Sequence, residues 1–141
     1  MSATGLDVFD STLQATHIWL DEIRDNLGWS DRHKAYHALR AVLHALRDRL
    51  PVNEAVDLAA QLPLMIRGIY YEGWRPVGKP LKERSLDQFL AHVTDQFLFD
   101  IGADSKEIAR TVIHTLARHV SQGEIDDVKG ALPREFAALF E

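Results

Sequence analysis

Cysteine is absent from the 141-residue chain, which removes disulfides, thiolate nucleophiles and Cys-ligated zinc or iron–sulfur clusters from consideration. Long apolar runs are missing as well. Nothing approaches the roughly 18 consecutive apolar residues of a membrane span, so no membrane partner is expected. The opening MSATGLDVFDST has no basic region followed by an apolar core, and a soluble cytoplasmic protein is the expectation. No stretch alternates strictly between apolar and polar residues, so half-buried strands are not predicted. A nucleophile elbow, a Gly-rich dinucleotide loop, a zincin helix and an EF-hand loop are also lacking, which takes away the signatures of several enzyme classes. The net charge is -5, which argues against a domain that grips nucleic acid through its overall field. Apolar residues make up 46% and charged residues 26%, a balance that folds one ordinary core.

What is present is a stretch that occurs twice. Arg40 to Pro63 reads RAVLHALRDRLPVNEAVDLAAQLP, and Arg110 to Pro133 reads RTVIHTLARHVSQGEIDDVKGALP, aligned without a gap. Around these copies the apolar spacing predicts helices throughout. A first helix carries Phe9, Leu13, Leu20, Ile23 and Leu27 along one stripe, with Thr16 in the gap, and ends at Gly28. Asp31 caps a second, whose core stripe is Ala35, Leu39, Val42, Leu43, Leu46 and Leu50. Pro51 opens a short third helix and Pro63 a last turn or two through Tyr71. Beyond the irregular segment 72–84, Leu86, Phe89, Leu90, Val93 and Phe97 repeat the first stripe, and Ala109, Val112, Ile113, Leu116 and Val120 the second. Ser85 with Gln88, Asp104 with Glu107, and Ser121 with Glu124 look like caps, the last offering a reason for Glu to recur at 54 and 124. The expectation is a single all-α domain over 1–141: repeat one about 7–71, a linker 72–84, and repeat two about 85–141. The two halves are expected to pack as a compact bundle with approximate two-fold symmetry.

With THIWLDEI, RAVLHALRDRLP, AAQLP, IRGIYYEGW and ARHVSQGEIDDVKGALP in view, the chain resembles the bacterial family catalogued as domain of unknown function 2267. The resemblance covers nearly the whole chain. It implies an all-helical fold and brings no activity, cofactor or catalytic residues.

Four groups of residues are candidates for chemistry. Gly73 to Lys79 matches GxxxxGK, the first part of a phosphate-binding loop. Pro80 stands where the magnesium-binding hydroxyl belongs, and a helix precedes it instead of a strand. His33, His37 and His44 share one helical face, as metal ligands or as surface histidines. A polar set recurs in both copies: Arg40, His44, Glu54 and Asp57, then Arg110, His114, Glu124 and Asp127. Its members are either junction ion pairs and helix-start carboxylates or a duplicated site for metal or proton transfer. Finally, Arg67, Tyr70, Tyr71, Trp74, Arg75, Lys79, Lys82 and Arg84 place five cations among aromatics against two acids, Glu72 and Glu83. That mixture suits a protein interface or an anionic ligand, or closes the end of the core.

The leading expectation is a non-enzymatic module that binds a protein partner, or another copy of itself, through the linker surface, with no cofactor or metal. A metal-dependent or acid–base enzyme at the repeated polar positions is the alternative. Nucleic-acid binding by the linker ranks last.

Overall fold

The computed structural model describes residues 2–97 and 103–141. Residues 98–102, inside the second of the expected repeats, lie outside the described residues. Among the described residues the elements are seven α-helices and one 3-10 helix, with no strand. They run as α1 (Asp7–Asn26), α2 (Arg32–Arg47), α3 (Val52–Ala59), α4 (Leu64–Tyr71), α5 (Leu86–Asp95), α6 (Ser105–His119), α7 (Gln122–Ala131) and a closing 3-10 helix (Arg134–Phe140).

Helix ends follow local chemistry. Past α1, Gly28 adopts φ +68, a conformation open to glycine at no steric cost. Gly28 N–H then donates to Asp25 O at 3.2 Å and Trp29 N–H to Arg24 O at 2.9 Å, so two carbonyls that the helix leaves free are satisfied. The Asp31 carboxylate accepts from His33 N–H, and Asp104 accepts from Lys106 and Glu107 N–H. Ser85 and Gln88 form a full reciprocal capping box.

Packing places α2 centrally, in contact with α1, α4, α5 and α6. Its expected stripe from Ala35 to Leu50 is fully buried, and so is the stripe of α6 from Ala109 to Leu116. Trp19 of α1 and Phe89 of α5 are both buried. Side chains of this size each contribute about 1.5–3 kcal/mol when taken out of water. The short helices α3 and α7 pack on each other, while α4 contacts α1, α2 and α3, and the 3-10 helix contacts α6 and α7.

The expected stripe of α1 is corrected at its N-terminal end. Phe9 is 46% exposed and Leu13 half-buried; the inward residues are Thr12, Thr16, Trp19, Leu20 and Ile23. The reason is a cap. Helix α4 begins after Pro63 with no side-chain cap of its own, and the Thr12 hydroxyl accepts from Met65 N–H at 2.8 Å. Thr16 donates back to Thr12 O at 2.7 Å, which satisfies its buried hydroxyl within the helix. Phe9 and Leu13 instead line a shallow apolar groove with Leu64 and Met65.

Candidate functional site

Two places gather the sequence candidates: the linker with its anchors, and the junction of α3 and α7.

Most of the linker cluster is bonded into the fold. Arg67 donates to Ala59 O at 2.9 Å and to Leu62 O at 3.0 Å, closing the C-terminal end of α3. Tyr70 is fully buried and its hydroxyl donates to Ala55 O at 2.7 Å. Tyr71 and Trp74, with ring centroids 5.4 Å apart, are half-buried against the core, and the Trp74 indole N–H is buried without a hydrogen-bond partner. Arg84 donates to Arg49 O at 3.3 Å. Outward there remain Arg75, Val77 and Lys82, with Lys79 half-buried. Val77 is 91% exposed. The GxxxxGK stretch forms turns, with Gly73 and Gly78 at φ +74 and +82, a cis Lys79–Pro80 bond and Lys79 N–H bonded to Pro76 O. No helix opens on it to hold a phosphate.

Two arginines outside the sequence candidates hold this segment down. Arg47, buried, donates to Tyr70 O and Glu72 O and pairs with Asp48 at 3.1 Å. Arg49 is 0% exposed; it donates to Ala45 O at 3.0 Å and to the Glu83 carboxylate at 2.9 Å, and lies over the Phe89 ring. Burial pulls the Arg49 guanidinium below its usual range, and the Glu83 charge opposes that pull. Leu81 N–H adds a bond to Asp48 O at 2.8 Å. A signal was available: seventy positions on, in the stretch that aligns with this one, stand Ala117 and His119, so these two cations fall where the aligned stretches differ.

The repeated polar set divides. Arg40 pairs with Glu72 at 2.6 Å, and its guanidinium holds the Glu72 carboxyl below the usual range. Arg110 donates to the Glu141 carbonyl at 3.0 Å, and its Nε is buried without a partner. His44 places Nε2 at 2.7 Å from Ile69 O, which fixes an Nε2–H tautomer as donor and ties α2 to α4. Burial lowers its pKa below the usual 6.5. His114 is half-buried at the same register of α6. His44 is thus committed to α4. His33 and His37 meet edge to face, with centroids 4.5 Å apart, and the three do not act as one ligand row.

The carboxylates converge. Glu54 and Glu124 stand in the first turns of α3 and α7, and those helices pack together. Among the described residues, Glu54, Glu124 and Asp127 form a group whose ligand oxygens lie within 4.8 Å of one another, and neither His44 nor His114 belongs to it. Asp57 and Asp127 are exposed, Glu54 half-buried, and Glu124 only 8% exposed. Burial, the hydrogen bond with Glu54, and the charges of Glu54, Asp127 and Asp57 push the Glu124 carboxyl up to about 8. A buried carboxyl pushed up by acidic neighbours is one that holds its proton.

The capping box expected at Ser121 and Glu124 is corrected here. Ser121 accepts from Glu124 N–H at 3.2 Å, but Ser121 N–H donates to the Gln61 side chain at 2.8 Å. Gln61 also returns its amide to the Ser121 hydroxyl at 3.1 Å. Gln61, at the end of the first copy, takes the place that Glu124 would fill in a box. Glu124 is left facing Glu54.

Matching over residues 16–139 is the family model described as an uncharacterized conserved protein, DUF2267. The chain belongs to that family, as the resemblance implied. No curated protein matches it.

Proposed function

We propose that the chain is a single helical domain, descended from two related halves joined by residues 72–84, and that it works in the cytoplasm as a non-enzymatic interaction module. Its docking surface is the outer face of the linker, where Arg75, Lys79 and Lys82 flank Val77. The observation that carries this reading is that Val77 is 91% exposed on a segment fastened underneath by Arg47 and Arg49. An apolar tip on an anchored loop presents contact area with little ordering cost on binding. Its cationic flanks select an acidic protein surface and speed encounter with it. A second copy of this chain, with its net charge of -5, offers such a surface too.

Affinity capture with the wild type and with a variant carrying R75E, K79E and K82E tests the reading, alongside size exclusion of both proteins. The wild type retains an acidic partner, or itself, and the charge-reversed protein loses it. Equal capture by both proteins would sink the proposal.

The enzyme reading keeps one supporting observation, the meeting of Glu54 and Glu124 with Asp127. At His44 it loses support, because His44 Nε2 bonds Ile69 O.

A further inference from the structure

Glu54 and Glu124 each end in an oxygen, Oε2, that is buried from solvent and has no hydrogen-bond partner. Ionised carboxylates only accept hydrogen bonds, so two of them cannot satisfy each other. Acidic side chains gather on many surfaces with no ion among them. What separates this group is Glu124, 8% exposed, whose carboxyl meets that of Glu54 and whose Oε2 is buried with no donor to satisfy it. The charged groups that act most strongly on it are Glu54 and Asp57 from α3 and Asp127 from its own helix, all acidic. From α4, the neutral Tyr70 spends its hydroxyl on Ala55 O.

We infer that the α3–α7 junction binds one divalent, oxygen-coordinated cation of the size of calcium, ligated by Glu54, Glu124 and Asp127. The three ligand oxygens lie within 4.8 Å of one another, close enough to share one ion. Three protein carboxylates favour Ca²⁺, since Mg²⁺ dehydrates reluctantly and is usually held by one or two. Mg²⁺, at about 2.1 Å, demands a tighter octahedron. With no nitrogen or sulfur in the group, zinc is disfavoured. Exposed Asp127 leaves the outer coordination positions to water. The ion would join a ligand from one half to two from the other, which goes beyond the interaction reading and does not depend on it.

The test uses the full chain stripped with EDTA, titrated with CaCl₂ by calorimetry and melted in CaCl₂, MgCl₂ or EDTA. One equivalent of Ca²⁺ binds, and the melting temperature climbs with its concentration, as for any ligand of the folded state alone. Mg²⁺ at the same concentration has the smaller effect. Glu124→Gln and Asp127→Asn each weaken Ca²⁺ binding roughly tenfold or more. Both still melt cooperatively in EDTA; Asp127 is exposed, so its variant keeps the fold even if the Glu124 variant does not. Three results would overturn the inference. They are no saturable heat with identical melting in CaCl₂ and EDTA, a Ca²⁺ response unchanged in Asp127→Asn, or a stronger response to Mg²⁺ than to Ca²⁺.

Discussion

The end of α2 and the start of α7 both bury charge, and they do so in opposite ways. Arg49 is sealed from solvent, yet it has a carbonyl, a carboxylate and an aromatic face around it. Arg47 beside it reaches two carbonyls and Asp48. At the other place Glu124 meets Glu54, Asp127 and Asp57, which share its sign. A buried charge surrounded by acceptors does structural service, because removing it strands its partners. A buried charge surrounded by its own kind stays only if something outside the protein, a proton or a cation, is brought in.

The largest break in this contrast comes at Arg49. Arg49→Ala leaves a cavity and frees Glu83 and the linker, and is expected to lower unfolding free energy by about 3 kcal/mol, read from urea denaturation. Arg49→Met, which keeps the volume, should lose only about 1 kcal/mol; equal losses would mean that bonding, not volume, matters there.

Glu124→Gln sharpens the other side. The folded carboxyl lies at about 8 against 4.5 for the free group, so the folded chain holds a proton that the unfolded chain has released. That contribution is complete below about pH 4.5 and is lost as pH rises toward 8. In EDTA the variant should match the wild type near pH 5 and exceed it near pH 8 by about 1–3 kcal/mol. A wild type whose denaturation midpoint is flat across that window would count against the held proton.

The smallest effect lies at His44, whose pKa is lowered from 6.5 chiefly by burial. Here the unfolded chain takes up the proton first, so the contribution is present above pH 6.5 and lost as pH falls below it. His44→Gln keeps a donor for Ile69 O and should flatten that acid limb by less than about 1 kcal/mol, the side chain being partly screened by solvent.

Much of the architecture was legible because it is local. The stripe from Ala35 to Leu50, the stop at Gly28 and the Ser85–Gln88 box each need only neighbours within a turn or two. The misreadings come where a distant residue decides. Phe9 yields the inside to Thr12 because α4 needs a cap, and Glu124 leaves its box because Gln61 arrives from the other half. The recurrence of Glu54 and Glu124 was visible, but their meeting depends on how α3 lies against α7, which periodicity does not encode. Arg47 and Arg49 were readable only by asking where the aligned stretches differ.

The Gln61–Ser121 link has one more consequence. It is a reciprocal pair of hydrogen bonds between chain segments sixty residues apart, and it sits beside helices of only 8 and 10 residues. Helices that short do not persist alone in water. The carboxyl pair therefore exists only after both segments have arrived, so the chemistry of Glu54 and Glu124 works as a coincidence detector, silent in either half and readable only in the finished fold.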